Sequence, residues 1–259
     1  LGEGFASNYQ YAYTLEQFVT GTITATLSLI LLSRYSTYVA EHDTERLTDE
    51  FHRSVSGLVL LLAPIALLAC IFSADLVRIV YLRGEFDAAA ARYTAQALIG
   101  FAVGFPLVAI REMLIRLHFA YQNTKMPMLS NIASVVLNAA LSILLARYIG
   151  ILGIALATSL SAMLTIFLLN RSARQYIPKH RFSAFFPLFW RVALACALAA
   201  LPALALRRWL PAASLAGLLG RFLLSALCAS AVYLAALLAV RCPELKQALQ
   251  GLRSRLRRS

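Results

Sequence analysis

The stretch from Phe5 to Tyr38 is long and nearly uncharged, and Glu16 is the charged side chain in its middle. Hydroxyl groups follow at intervals of four residues, at Thr20, Thr24 and Ser28, so a helix places them on one line with the carboxylate. If the stretch crosses a membrane, such an ionisable group is costly and marks a candidate substrate or proton site. We expect this polar line to face water or a polar cargo, and the apolar line beside it to face lipid or packed neighbours. In the alternative interpretation, the hydroxyls bond back to the preceding turn and Glu16 lies at the membrane interface.

Five polar residues of this stretch form the predicted substrate-binding site. Successive helix residues point about 100° apart, so the five do not share one face. Ser7, Tyr11 and Thr14 point one way, whereas Glu16 points away from them. We expect the first three to border a polar cavity, where Tyr and Thr suit sugar hydroxyls, and Glu16 to face a neighbouring helix or a proton path. The predicted residues are Ser7, Tyr11, Thr14, Glu16 and Gln17.

The composition is typical of a membrane protein with several crossings. Of the 259 residues, 60% are hydrophobic and only 14% are charged, and the mean hydropathy is +0.72. Soluble domains carry about 25% charged residues, so we predict an all-α, polytopic membrane bundle. The four cysteines and four histidines show no ligand spacing, and we expect no catalytic, cofactor or metal site. The chain begins at Leu1 rather than Met, which indicates a fragment or a truncated chain.

Seven apolar runs are predicted to cross the membrane. After the first run, a charged connector from Glu41 to Arg53 is predicted to be a solvated loop with a short surface helix. Arg111, Glu112 and Arg116 are predicted to follow the end of the third run, and Arg147 to Gly150 form a very short turn between the fourth and fifth. The runs are Phe5–Tyr38, Ser54–Ala74, Tyr93–Ile110, Met126–Ala146, Ile151–Asn170, Val192–Leu206 and Phe222–Val240.

Residues inside these runs predict contacts between helices. Pro64 lacks a backbone N–H, so a neighbouring group must satisfy the carbonyl that it leaves free. Gly100 and Gly104 lie four residues apart and form a small-residue contact surface on one face. Asn131 and Asn138 lie seven apart, and an asparagine in a membrane helix usually bonds to a neighbouring helix.

The basic residues collect at the ends of the apolar runs. The net charge is +12, but this distribution argues against a nucleic-acid partner. When the connectors are assigned alternately to two sides, 17 of the 24 Lys and Arg residues fall on one side. Cytoplasmic loops carry such an excess, so we expect a cytoplasmic C-terminus and an external N-terminal end.

Three short motifs occur in order along the chain. They are SNYQYAYTL at Ser7–Leu15, RGEFD at 83–87 and FAYQNTKMP at Phe119–Pro127. Their residues, order and spacing resemble the MurJ/MviN family of lipid II flippases, within the multidrug/oligosaccharidyl-lipid/polysaccharide exporter superfamily. The resemblance includes the turn at Gly150–Thr158 and extends to about Arg174, whereas the last two runs are similar only in hydropathy.

The resemblance implies that the chain is the C-terminal half of a fourteen-helix transporter. Such a transporter flips an undecaprenyl-pyrophosphate-linked glycan precursor across the bacterial inner membrane by alternating access. Residues 1–181 would form the transporter bundle, 182–240 two hydrophobic helices with a groove for the lipid tail, and 241–259 a basic cytoplasmic tail. The expected partners are the lipid-linked glycan, membrane lipids and the missing N-terminal half.

One departure from the family pattern concerns the predicted cavity. The family's Y-A-D-R sequence places an Asp and a cavity-facing Arg where this chain has Tyr13 and Thr14. A phosphate headgroup needs paired cations, so we expect the remaining cations to come from the missing N-terminal half. We therefore expect a divergent member that carries lipid II or a related cell-surface polysaccharide intermediate.

Other function classes remain open from the sequence. A drug/cation antiporter of the same superfamily would need acidic residues deep in its crossings, for which Glu16 and Glu112 qualify. A non-transporting membrane scaffold would explain the lost arginine. A membrane enzyme is disfavoured, because the acids and histidines between His42 and His52 match no ligand motif.

Overall fold

The fold is helical throughout the part of the chain that the computed structural model describes, residues 5–81, 87–178, 182–210, 214–240 and 242–245. This confirms the predicted all-α class. The helices α1, α2, α6, α7 and α8 are each long and apolar enough to cross a membrane, and the α4–α5 pair, bent by 48°, is a sixth candidate. The bounds are α1 (Phe5–Ala40), α2 (Thr44–Ile71), α3 (Ser73–Tyr81), α4 (Ala88–Ala102), α5 (Phe105–Ala120), α6 (Lys125–Ala173), α7 (Phe186–Trp209) and α8 (Leu215–Ala239), with a 3₁₀ helix at Phe182–Phe185.

Helix α6 folds back on itself near Gly150, where the backbone leaves helical geometry with a φ of +60°. On the first arm (125–148), Ser134 Oγ donates a hydrogen bond of 3.0 Å to the carbonyl of Ser161 on the second arm (151–173). These two residues would lie about 40 Å apart along a straight helix. The arms therefore run antiparallel, and when they are counted separately the described helices provide the seven predicted crossings.

Helix α5 continues beyond the predicted end of the third apolar run at Ile110, through Arg111, Glu112 and Arg116 to Ala120. These three residues are therefore helical, and their position after the crossing stays a prediction. Glu112 lies between the two arginines, with carboxylate oxygens 3.5 Å from an Arg111 nitrogen and 3.5 Å from an Arg116 nitrogen. The carboxylate thus offsets part of the positive charge of the two arginines.

Glycines of the α4–α5 bend allow the second arm of α6 to approach closely. A Cβ added to Gly100 would lie 2.6 Å from the Ala155 Cβ, and the Ser159 hydroxyl donates a hydrogen bond of 2.9 Å to the Gly100 carbonyl. A Cβ on Gly104 would collide with Ser159 as well. The predicted small-residue contact surface is therefore confirmed.

The predicted orientation of the polar line of α1 is wrong, since Glu16, Thr20, Thr24 and Ser28 are buried in a helix that packs against α4 and α5. The Thr20 hydroxyl donates to the Glu16 carbonyl at 2.9 Å, and the Thr24 hydroxyl donates to the Thr20 carbonyl at 2.7 Å. Hydroxyls that are satisfied within their own helix can be packed against apolar neighbours. The part of the alternative interpretation in which hydroxyls bond back to the preceding turn is confirmed for Thr20 and Thr24. The buried Ser28 hydroxyl has no hydrogen-bond partner within the described residues, and the interface position of Glu16 stays a prediction.

The connector before α2 is shorter than predicted. Helix α2 begins at Thr44, and the Asp43 carboxylate caps it by accepting a hydrogen bond of 2.9 Å from the Arg46 backbone N–H. Most of the predicted solvated connector, 41–53, therefore belongs to the first turns of α2. Asp at the N-cap is a strong helix start signal, which the apolar pattern alone does not show.

Helices α7 and α8 form a hairpin that packs on α2 and α3 at the edge of the bundle. An Arg221 nitrogen on α8 lies 2.7 Å from an Asp75 carboxylate oxygen on α3, and both side chains are largely buried. The division of the chain near residue 181 stays a prediction. The basic tail of 241–259, apart from 242–245, and residues 83–86 of the second motif lie outside the described residues.

Candidate functional site

Glu16 is only 5% exposed, and both of its carboxylate oxygens accept hydrogen bonds. Thr20 Oγ1 donates to Oε1 at 2.8 Å, and Gln17 Nε2 donates to Oε2 at 3.0 Å. The same Gln17 amide donates to the Tyr13 hydroxyl at 3.1 Å. These partners all lie on α1, so the spacing of one and four residues along the helix builds the network.

A small cavity opens beside this network, between α1, the α4–α5 pair and the second arm of α6. Its volume is about 100 Å³, which is room for about three water molecules. It is therefore too small for a glycan headgroup, but it suits bound water or a proton path. The cavity is lined by Tyr13, Glu16, Gln17, Phe101, Gly104, Val108, Arg111, Thr158, Ser159 and Ala162.

Arg111 is the candidate site residue that the sequence interpretation missed, because it was assigned to a connector. Its guanidinium lines the cavity that Glu16 lines, and the two opposite charges attract each other. Its Nε is buried and has no hydrogen-bond partner within the described residues. The spacing of Gly104, Val108 and Arg111, at intervals of four and three, carries the signal, since it places all three on one face of α5.

The other predicted residues lie on a different face of α1. Ser7, Tyr11 and Thr14 are exposed in this chain, whereas Glu16 is buried, so the predicted separation of the two groups agrees with the structure. The Tyr11 ring packs 4.9 Å from the Tyr81 ring, measured between centroids. The Thr14 hydroxyl donates to the Gln10 carbonyl at 2.9 Å. Gln17 is exposed but reaches back to Glu16, and it links the two groups.

A second polar cluster joins the two arms of α6 next to the cavity. Asn138 Nδ2 donates to Thr158 Oγ1 at 3.1 Å and approaches the Ser161 hydroxyl at 3.4 Å. The Tyr9 hydroxyl of α1 lies 3.4 Å from the same Thr158 oxygen. The predicted contact of Asn138 with a neighbouring helix segment is therefore confirmed, while Asn131 is exposed.

The arrangement has two chemically distinct parts. The interior part holds one carboxylate and one guanidinium beside a cavity with room for about three waters. Such a part can fix helices or pass protons but leaves little room for cargo. The outer part is an exposed polar and aromatic face of α1, which can donate and accept hydrogen bonds and stack against sugar rings. The predicted site residues belong to both parts, and their role in binding stays a prediction.

The chain is similar to the members of a known protein family. The family model described as lipid II flippase MurJ matches residues 1–225. Proteins named probable lipid II flippase MurJ from Rhizobium tropici and Treponema pallidum are 28% and 29% identical to this chain. The first match covers 62% of this chain and 30% of the relative, and the second covers 68% and 34%. The chain thus spans about a third of the length of these curated relatives.

A solved structure supports the same fold. The structure titled lipid II flippase MurJ, inward closed conformation, matches with a TM-score of 0.74 and 21% sequence identity. The match covers 91% of this chain and 47% of that chain, so the helices described above correspond to about half of that molecule. From the extent of the family match, this multi-pass membrane chain belongs to the lipid II flippase MurJ family.

Proposed function

We propose that this chain forms about half of a flippase that moves an undecaprenyl-pyrophosphate-linked glycan, lipid II or a related precursor, across the bacterial inner membrane. The protein would act as a transporter by alternating access and would catalyse no bond-breaking step. The names of the relatives support the class of cargo, and the exposed face of α1 supports the mode of binding.

The observation that carries the proposal is the polarity of α1 on the side away from its own bundle. Ser7, Tyr11, Thr14 and Gln17 are exposed on a helix that is long enough to cross a membrane. Polar side chains that face lipid within the hydrocarbon core are costly, and they normally face protein or a water-filled cavity. This face therefore fits the wall of a hydrated cleft rather than a lipid-facing surface.

A cleft needs an opposite wall, and we propose that an N-terminal half of the same transporter supplies it. The relatives are about three times as long as the matched region, which leaves room for such a half. A pyrophosphate needs several cations at close range. The Arg111 charge is already opposed by Glu112 and Glu16, so we propose that the opposite wall contributes these cations.

The α7–α8 hairpin suits the lipid tail. Leu194, Leu198 and Leu201 of α7 and Leu227 of α8 are 41–70% exposed, and a leucine-rich surface is compatible with an isoprenoid chain. Tyr233 and Ser225 of α8 are buried and do not face this surface. We propose that the hairpin guides the tail while the headgroup crosses along α1.

The drug/cation antiporter is the second candidate, because Glu16 is a deep carboxylate of the kind that such a protein needs. Arg111 lines the same cavity, and a nearby guanidinium disfavours the binding of another cation. This arrangement favours the flippase over the antiporter.

Transport in proteoliposomes distinguishes the candidates. The complete transporter is reconstituted with a fluorescent undecaprenyl-pyrophosphate-linked glycan, and an impermeant quencher reports how much label remains in the outer leaflet. Loss of protected label over time supports the flippase. Movement of a cationic dye without movement of the glycan lipid would instead establish the antiporter, and movement of neither would establish the scaffold.

A further inference from the structure

A second and larger cavity lies far from Glu16, between the end of α1, the beginning of α2 and the segment that enters α7. Its volume is about 530 Å³, within the range of small-molecule sites. It opens at the membrane face that the charge bias assigns to the cytoplasm. Its lining residues are Tyr38, Arg46, Asp49, Glu50, His52, Arg53, Ser56, Gly57, Phe185, Pro243 and Glu244.

Helix α2 presents an ordered series of groups along this cavity. Asp49, Arg53 and Gly57 follow one another at intervals of four residues, and all three are exposed. Each interval advances about 6 Å along the helix, from the membrane face toward the interior of the bilayer. Leu61 is one interval deeper and is 47% exposed. The series is therefore an anion, a cation, a gap and an apolar side chain.

The gap at Gly57 is open space. A Cβ built on this glycine meets no heavy atom within 4 Å, so the position is not a tight helix contact. The wall opposite is aromatic in part, because the Phe185 ring packs edge-on against the His52 ring at 5.0 Å between centroids. The cavity thus has a charged outer part and a deeper part where α2 contributes only the small residues Ser56 and Gly57 to the lining.

Most other charges around the cavity are already paired. Glu50 lies 2.7 Å from an Arg34 nitrogen and Glu244 lies 3.6 Å from an Arg191 nitrogen. Arg46 pairs with Asp43 at 3.2 Å. Asp49 and Arg53, by contrast, have no ion pair or side-chain hydrogen bond within the described residues, and the Asp49 carboxylate has only an electrostatic interaction with the His52 ring. The cavity therefore offers one carboxylate and one guanidinium to a ligand.

We propose that this cavity binds the headgroup of a phospholipid with a primary ammonium group, of the phosphatidylethanolamine class. Such a lipid presents an ammonium outermost, then a phosphate, then glycerol, then acyl chains. These groups match Asp49, Arg53, Gly57 and Leu61 in the same order from the membrane face inward. The ammonium would donate hydrogen bonds to the carboxylate, and the phosphate would accept them from the guanidinium.

The same charges discriminate among phospholipids. A choline headgroup carries no N–H and cannot donate a hydrogen bond to Asp49. A phosphatidylglycerol headgroup brings a net negative charge and no cation. It would leave Asp49 without a partner, and the carboxylates of Glu50 and Glu244 nearby would disfavour its charge. The site lies apart from the polar face of α1, so it does not depend on the proposed transport function.

Lipid retention by the purified complete transporter tests the proposal. Native mass spectrometry, with dioleoyl phosphatidylethanolamine, phosphatidylcholine or phosphatidylglycerol added separately, measures the apparent dissociation constant of each lipid. We expect wild-type protein to bind phosphatidylethanolamine about tenfold more tightly than the other two, the effect of one charge-assisted hydrogen bond. Asp49→Asn should remove this preference, and Arg53→Gln should weaken the binding of all three lipids about tenfold.

Two further variants keep the test independent of folding. Gly57→Leu fills open space, so the protein should fold normally and lose retention of all three lipids. Glu41→Gln removes an exposed carboxylate outside the lining residues and should change nothing. Equal binding of phosphatidylglycerol and phosphatidylethanolamine by wild-type protein would overturn the proposal, as would an unchanged preference in Asp49→Asn or full retention in Gly57→Leu.

Discussion

Tyr233 on α8 donates a hydrogen bond of 3.0 Å to the backbone carbonyl of Leu60 on α2. In a regular helix this carbonyl accepts from the residue four positions on, but that residue is Pro64, which has no N–H. The neighbouring group that the proline was predicted to require is therefore the Tyr233 hydroxyl. Because Tyr233 is only 3% exposed, water cannot easily replace it. This bond thus joins the kinked helix to the terminal hairpin.

The first prediction concerns this bond. Tyr233→Phe should destabilise the folded protein by about 1 kcal/mol, because it leaves the Leu60 carbonyl without a partner in a buried place. The measurement is the free energy of unfolding in detergent micelles, compared with wild-type protein.

Pro64→Ala provides the control, since it restores the N–H that the carbonyl lacks. In the Pro64→Ala background, Tyr233→Phe should cost clearly less than in wild-type protein. Equal costs in the two backgrounds would show that the hydroxyl does not compensate for the proline.

The second prediction concerns the ion pair between Asp75 and Arg221, whose side chains are 6% and 11% exposed. Asp75→Asn should destabilise the protein by about 3–5 kcal/mol, because it leaves a buried guanidinium without its counter-charge. Replacing both partners with apolar residues of similar size, Asp75→Leu with Arg221→Met, should recover much of that loss. The unfolding free energies of the single and double variants measure this coupling.

A more exposed ion pair gives the matched comparison. Arg34 and Glu50 lie at the same distance of 2.7 Å, but the Arg34 side chain is 42% exposed. Glu50→Gln should cost about 0–1 kcal/mol. A cost for Asp75→Asn as small as that would mean that the α3–α8 pair is hydrated and does not hold the hairpin.

The membrane crossings could be predicted from the sequence, because an apolar run is recognised from neighbouring residues alone. The hairpin of α6 was visible as a short turn at Gly150, and the α4–α5 contact was visible in Gly100 and Gly104. The end of α5 could not be predicted in the same way, because the apolar run stops at the first charged residue while the helix continues. Charged side chains do not by themselves end a helix, and here Glu112 offsets part of the charge of its two arginines.

The direction in which the polar face of α1 points could not be predicted from the sequence either. Helical periodicity shows that Glu16, Thr20 and Thr24 share a face, but not whether that face turns inward. Bonds from threonine hydroxyls to their own backbone permit burial but do not decide it, since the exposed Thr14 makes the same kind of bond. The face is buried because α4 and α5 pack against it. A polar residue that satisfies itself locally loses its preference for water, and only the packing of the neighbouring helices reveals this.

The third prediction concerns the coupling between Glu16 and Arg111. Each of Glu16→Gln and Arg111→Gln should destabilise the protein, since each leaves a charge without its opposite in a low-dielectric site. The double variant should cost less than the sum of the two, by about 0.5–3 kcal/mol. A double-mutant cycle on unfolding free energies measures the coupling, and additive costs would show that Glu112 alone neutralises Arg111.

The fourth prediction concerns topology. In a variant with the four native cysteines replaced by alanine, Ala89→Cys near the start of α4 should react with an impermeant maleimide added outside intact cells. Glu41→Cys, between α1 and α2, should react only after the membrane is permeabilised. Both positions are exposed, so differences in labelling report the side of the membrane. The reverse pattern would overturn the proposed cytoplasmic C-terminus.

The fifth prediction concerns the exposed face of α1 as the cargo site. Tyr11→Ala combined with Ser7→Leu should reduce glycan-lipid flipping while the protein remains in the membrane at wild-type levels. Tyr148→Ala, which removes a tyrosine that is 79% exposed at the α6 turn, should leave flipping unchanged. Wild-type flipping by the double variant at matched expression would show that this face contacts protein or lipid instead of cargo.

The same face allows a gain of function to be tested at Thr14. Thr14→Arg places a guanidinium beside the proposed cargo path, where a pyrophosphate can accept charge-assisted hydrogen bonds. Flipping of the pyrophosphate-linked lipid at limiting concentration should rise about tenfold, which corresponds to one such bond. Thr14→Gln has similar length without charge and should not produce the rise. The gain should also shrink at high salt, because screening weakens exposed charges. An equal effect of Arg and Gln would mean that length rather than charge matters, and that Thr14 does not face the phosphate.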